Sequence, residues 1–297
     1  MPKLSDPSSG LSRGALEQLE LEGDSLGDHR QFWDRAAAVD AIRAIADQED
    51  ASSFETSGMV DAAGVATLLP ATGRGAALEI GCGIGRVLQH LAPRCHELHG
   101  IDISAEMVEQ ARRRLAHLSN VHVHVGNGYD LGPLDDESFD LVFSQFVFQH
   151  MPKTTAYNYF VEARRVLRPD GLLRFQVPNI LSDEHFAAFH HFAQPWFVEH
   201  PYPMHFYTPA EVASLLVRAG FWVEDIDGVI IAVARKTDQA GIGGALVERV
   251  VGLEHPTMAQ RLGELERMAE ELECMRRRLA VRAANALRRP LRLRRGG

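Results

Sequence analysis

Three glycines spaced two apart, Gly81, Gly83 and Gly85, follow the apolar run Ala76-Ala77-Leu78-Glu79-Ile80 and precede a stretch that reads as helix. Residues without a β-carbon turn where others cannot and let a ligand lie against the backbone. Strand, glycine turn and helix in that order form the place where open α/β sheets take nucleotides. An acid, Glu79, sits inside the strand just before the turn. The spacing is G-x-G-x-G, whereas dinucleotide enzymes use G-x-G-x-x-G, so a nicotinamide-dependent oxidoreductase is the disfavoured rival.

A second reactive group of residues lies further on. Gln145-Phe146-Val147-Phe148-Gln149-His150 follows an apolar run at 139–144, and the segment 179–208 is dense in histidine and aromatic residues. His190, His191, His200 and His205 lie near Asp183, Glu184 and Glu199, but no H-E-x-x-H or comparable ligand spacing occurs there. No metal centre is therefore expected.

These residues need a scaffold, and the apolar pattern describes one. Short apolar runs at 76–80, 97–102, 121–126, 139–144 and 172–177 alternate with helical stretches near 84–93, 104–118 and 155–168. Such alternation predicts parallel strands joined by right-handed crossovers, with helices on both faces. Ser104 is placed to cap its helix, and Arg112 to Arg114 lie where the macrodipole favours cations. A helix over 209–219 is followed by β-rich runs at 221–226 and 229–235, split by Asp227-Gly228, which predicts an antiparallel hairpin. The expected fold is thus α/β: a Rossmann-like, doubly wound, seven-stranded sheet, mostly parallel with an antiparallel last strand. Helices near 31–47 and 59–69 precede it, and a long C-terminal helix follows.

With these segments placed, residues 55–236 resemble class I S-adenosylmethionine-dependent methyltransferases, whose first motif reads acid-x-G-x-G-x-G. The resemblance continues through His99-Gly100-Ile101-Asp102-Ile103-Ser104, Val125-Gly126-Asn127-Gly128-Tyr129-Asp130-Leu131, the run from Phe139 to Gln145, and Arg164-Arg165-Val166-Leu167-Arg168-Pro169-Asp170-Gly171. It implies S-adenosyl-L-methionine as cofactor, held by Glu79, Gly81, Cys82, Gly83 and Gly85. Asp102 would accept from the ribose hydroxyls and Ile103 would lie on the adenine face. Asn127, where relatives often carry Asp, would meet the adenine amino group beside Gly128. Gln145 and Phe146 would line the methionine part and the methyl path. Asp170 stands where the usual phrase has glycine.

The implied reaction is methyl transfer to a small-molecule acceptor, with a hydroxyl oxygen of a sugar or secondary metabolite as the leading expectation. An N- or C-methyltransferase and a non-catalytic cofactor-binding scaffold are the alternatives. The sulfonium methyl is already electrophilic, so positioning dominates, and a base helps when the acceptor is a hydroxyl. His150 is the first candidate base and His205 the second, while 179–208 would roof the site and set the acceptor.

The chain therefore reads as a flexible arm (1–29), a methyltransferase domain (30–238) and a helical extension (239–297). Its net charge of -9 and the lack of a basic stacking platform argue against nucleic acid as a partner. The last 22 residues contrast, with nine arginines and no acid, after a heptad-like stretch at 258–287. That stretch suggests a homodimer through the C-terminal helix, and the basic, leucine-bearing tip a peripheral membrane contact. Three cysteines without a CxxC pair, no leader and no apolar span lead to a cytoplasmic expectation.

Overall fold

The computed structural model describes residues 25–46, 51–70, 75–194, 204–227 and 230–254. It divides into a compact unit, Met1–Val250, and a second unit, Val251–Gly297. The heptad stretch and the basic tip lie outside the described residues, as does most of the N-terminal arm.

Eight strands form one sheet in the order β3-β2-β1-β4-β5-β7-β6-β8. They are β1 (Gly75–Ile80), β2 (Cys95–Asp102), β3 (Val121–Val125), β4 (Phe139–Ser144), β5 (Leu167–Gln176), β6 (Phe221–Ile226), β7 (Ile231–Lys236) and β8 (Gly241–Ile242). The first five are parallel, and β7 runs antiparallel to both β5 and β6. The expected antiparallel hairpin is therefore present, with β7 inserted beside β5. The expected strand count of seven is corrected to eight. The addition, β8, has two residues paired in parallel with Trp222 and Val223 of β6, too short to leave an apolar period in the sequence.

The central strand β1 is buried along its whole length, because helices cover both faces. On one face α5 (Lys153–Val166) and α7 (Pro209–Arg218) pack over Leu78, Val142, Leu173 and Phe175. There the Phe160 and Phe175 rings stack 4.7 Å apart, with Phe148 edge-on to both. On the other face α2 (Ala51–Ala66), α3 (Leu88–Leu91) and α4 (Ala105–Leu115) cover Ala77, Leu98, Leu141 and Phe143. Burial of Met107, Val108, Ala111 and Leu115 at helical spacing explains which side of α4 turns inward. Ser104 caps α4 as expected, its hydroxyl accepting from the Met107 N–H at 3.1 Å.

Three local features depart from a regular outline. The helix expected at 84–93 is a turn followed by only four α-helical residues and the 3-10 segment Ala92–Arg94. Asp170 takes φ 64°, the left-handed region that its usual glycine counterpart adopts freely and that Asp tolerates better than most residues. Helix α1 (Leu26–Ala46) starts within the arm expected over 1–29 and kinks at Asp40, φ -163° and ψ 91°. There the Asp40 carboxylate accepts from the Arg43 N–H at 3.1 Å and restarts the helix as a cap does. Two further helices complete the described residues, α6 (Asp183–Phe192) and α8 (Gly244–Glu254). Among them no helix is long and apolar enough to cross a membrane.

Candidate active site

The sheet order reverses between β1 and β4, and a crevice opens beyond the carboxyl ends of those strands. It is a cleft of about 900 Å³, part of it open to solvent. The glycine turn forms its floor. Gly81 (φ 72°) and Gly83 (φ 52°) lie in the left-handed region, and both also lack room for a side chain. A β-carbon on Gly81 would stand 2.3 Å from Val147 Cγ2, and one on Gly83 would stand 2.6 Å from Ile45 Cδ1. The turn is pinned to β2, because the Gly81 N–H donates to the Ile101 carbonyl at 2.7 Å.

Asp102, at the end of β2, is held from two sides. Its Oδ2 accepts from the Gly83 N–H at 2.8 Å and its Oδ1 from the Ser104 N–H at 2.9 Å. Burial raises its carboxyl above the usual range, opposed by those two N–H groups. Each oxygen keeps a lone pair for a further donor. The carboxylate therefore faces the cleft as a fixed, two-pronged acceptor.

Two other buried polar groups await partners. Neither the amide nitrogen nor the amide oxygen of Gln145 has a hydrogen-bond partner, and the residue lines the cleft at the end of β4. Glu79 Oε2 is likewise buried and unpartnered beneath the turn. Burial pushes the Glu79 carboxyl well up; Arg86, itself paired to Asp61 at 2.6 Å, opposes that. A buried polar atom left unsatisfied costs about 1–3 kcal/mol, so such atoms at a cleft mark the place of a polar ligand. Phe146, next to Gln145, takes φ 60°, a strained conformation for an aromatic residue of the kind that gathers at functional sites.

The predicted residues divide cleanly. Gly81, Gly83, Asp102, Ile103, Gly128, Gln145, Phe146 and His150 line one cleft. Glu79, Cys82, Gly85 and Asn127 do not. Cys82 is buried against Gly100, and Gly85 abuts Leu115. Asn127 is exposed and turned into its own loop, where its Oδ1 accepts from the Tyr129 and Asp130 N–H groups and its Nδ2 donates to Asp130. The expected contact of its side-chain carbonyl with adenine is corrected accordingly, since both lone pairs already serve the backbone. His205 also lies outside the lining, although its N–H donates to the Gln149 carbonyl at 2.6 Å and so ties its segment to the His150 turn.

The roof over the cleft is not the segment 179–208 that the sequence suggests but helix α1. Leu26, His29, Trp33, Ala44 and Ile45, all on α1, cover the cleft. No described residue of 179–208 lines it; residues 195–203 of that segment lie outside the described residues. Helix α1 is anchored to the loops that follow β2 and β3. Asp34 accepts from the Ser104 hydroxyl at 2.6 Å, and Arg30 donates to the Gly126 carbonyl at 3.2 Å. The Trp33 ring meets the His150 imidazole edge-on, centroids 5.2 Å apart. The only signal in the sequence was the aromatic pair Phe32-Trp33 on a helical stretch.

A doubly wound sheet with β7 inserted antiparallel beside β5, a glycine turn after β1 and a doubly held carboxylate after β2 defines the class I methyltransferase architecture. Comparison with known proteins agrees: the family described as "Methyltransferase domain" matches residues 78–175. A Mycolicibacterium smegmatis protein described as a probable S-adenosylmethionine-dependent methyltransferase is 30% identical over 179 residues, 59% of this chain and 62% of that one. The malonyl-[acyl-carrier protein] O-methyltransferase of Geobacter sulfurreducens is 34% identical over 153 residues, 48% of this chain and 54% of that one. The chain thus spans about half the length of such curated relatives. Among solved structures, Haemonchus contortus phosphoethanolamine N-methyltransferase 1 shares the fold at TM-score 0.55 and 18% identity, over 83% of this chain and 55% of that one. Residues 78–175 thus match the methyltransferase-domain family, and the sheet around them has the fold of the class I S-adenosylmethionine-dependent methyltransferases.

Proposed function

We propose that this protein transfers a methyl group from S-adenosylmethionine to a hydroxyl oxygen of a small molecule, a sugar or secondary metabolite. The observation that carries the reading is the convergence, in one roofed cleft, of the Asp102 acceptor pair, the unpartnered Gln145 amide and the His150 imidazole. In this reading Asp102 accepts from the two ribose hydroxyls. Ile103 and Gly128 flank the adenine, and Gln145 serves the amino-acid end with Glu79 supporting it from below. The cofactor supplies an electrophilic methyl on a sulfonium. Helix α1 excludes water and limits the acceptor to a small molecule, while His150, steadied by Trp33, takes the hydroxyl proton as the new bond forms.

The fit of the cofactor rests on the orphaned Gln145 amide and on the Asp102 carboxylate held facing the same cleft. Calorimetry with S-adenosylhomocysteine tests the first half: a dissociation constant in the micromolar range is expected, and no binding would remove the reading. Transfer of a labelled methyl into a small-molecule extract, followed by identification of the product, tests the second. A labelled O-methyl ether supports it, whereas label on nitrogen, carbon or protein overturns the hydroxyl assignment.

A further inference from the structure

A cluster of histidines stands away from the cleft, at the β2–β3 edge of the sheet. Glu97 and His99 lie two residues apart on β2 and therefore on one face, and His122 is the register partner of His99 on β3. His124 follows on that same face, its ring stacked on His99 with centroids 5.0 Å apart. Between β3 and β4 the chain runs from 126 to 138 with no helix, so this corner of the face is left half-open to solvent. Edge strands commonly carry polar side chains, and that alone would explain one histidine. It does not explain two imidazoles gathered at one carboxylate with a third imidazole behind them.

We propose that Glu97, His99 and His122 bind a divalent transition-metal ion, zinc in the first instance, which clips the edge strand β3 to β2. One ligand atom from each residue lies within 4.8 Å of the others. Around a tetrahedral zinc with bonds of roughly 2.0–2.1 Å, such atoms stand about 3.3 Å apart. Glu97 Oε1 and His99 Nε2 are already 3.0 Å apart, so only the exposed His122 must turn inward. Imidazole nitrogen and carboxylate oxygen are both zinc donors, and water takes the fourth position. The outer shell is in place as well: His99 Nδ1 and His124 Nε2 are 3.1 Å apart. With His99 Nε2 on the metal, Nδ1 carries the proton and donates to His124, the arrangement that orients ligating histidines.

The histidines of 179–208, by contrast, show no ligand spacing. The donors at this edge come from strands, so their separation is set by backbone pairing and needs no loop to close.

The test is equilibrium dialysis of the full-length, tag-free, chelator-stripped chain against zinc, with bound metal counted by mass spectrometry and melting followed in parallel. One zinc per chain with micromolar affinity is expected, together with a rise in melting temperature. His122→Gln, at an exposed position that leaves the core intact, should weaken binding more than about tenfold and remove that rise, and His124→Gln should weaken it by about 10–100-fold. The double variant His190→Gln/His191→Gln should bind as the parent does. Failure of the parent to retain zinc would overturn the proposal. So would unchanged affinity in His122→Gln, or loss of binding only in the His190/His191 variant.

Discussion

Asp102→Asn separates cofactor recognition from folding more sharply than any other single change. The substitution keeps shape and removes charge. If both ribose hydroxyls donate to this carboxylate, each hydrogen bond to a charged acceptor is worth about 1.5 kcal/mol at the low end, together about 3 kcal/mol. The asparagine oxygen can still accept from one hydroxyl, so at about 1.4 kcal/mol per decade the dissociation constant for S-adenosylhomocysteine should rise about 10–100-fold. The effect on stability is a contest. The new amide nitrogen must face either the Gly83 or the Ser104 N–H, now 2.8 and 2.9 Å from an acceptor, which destabilises. Removing a carboxylate that burial disfavours stabilises. The two nearly cancel, so the net change should stay within about 1–2 kcal/mol, a few degrees in melting temperature for a domain of this size. Titration calorimetry beside a thermal melt reads both quantities on one preparation. A variant that melts like the parent and binds within fivefold of it would show that Asp102 is not the ribose acceptor.

Three other outcomes follow from the same geometry. Burial raises the Glu79 carboxyl above its ordinary 4.5, so the folded state binds its proton more tightly than the unfolded state does. That contribution is present below pH 4.5 and is lost as pH rises towards the folded value. Glu79→Gln should therefore melt higher than the parent at pH 7.5, with the advantage gone at pH 4, as a pH series of melts will show; an unchanged difference across the series would refute the assignment. Gly81→Ala combines a left-handed penalty of about 1–2 kcal/mol with overpacking of about 1–3 kcal/mol against Val147, 2.3 Å from the new carbon. Urea unfolding should show a loss of roughly 2–5 kcal/mol. His150→Gln should lower kcat by about 100-fold or more on a hydroxyl acceptor while leaving S-adenosylhomocysteine affinity unchanged; parallel losses in both would make His150 a packing residue.

What could be read in the sequence is what local chemistry decides. Gly81 and Gly83 announce themselves because positive φ excludes most other residues. Asp102 is legible only through the family resemblance of the segment His99 to Ser104, whereas the β6–β7 pair follows from Asp227-Gly228. Asn127 shows the limit of a motif. A side chain that suits an adenine edge also suits an Asx turn, and in the structure the local hydrogen bonds at 2.8 and 2.9 Å prevail. The roof was illegible for a different reason. Leu26–Ala46 is nearly as polar as it is apolar and kinks at Asp40, so no single apolar stripe marks it as a cover.

The placement of α1 depends on contacts between residues 70 and 96 positions apart, Asp34 with Ser104 and Arg30 with Gly126. Those contacts join the roof to the very loops that carry Asp102 and Gly128. A ligand seated on those loops therefore lies beneath a helix that is hydrogen-bonded to the same loops. The histidine edge obeys a related logic. The alternation in Glu97-Leu98-His99 and His122-Val123-His124 was visible along each strand, but only the parallel register sets His99 beside His122. Both the roof over the cleft and the cluster at the edge are properties of pairing between distant segments, and that is the level at which a single sequence is least informative.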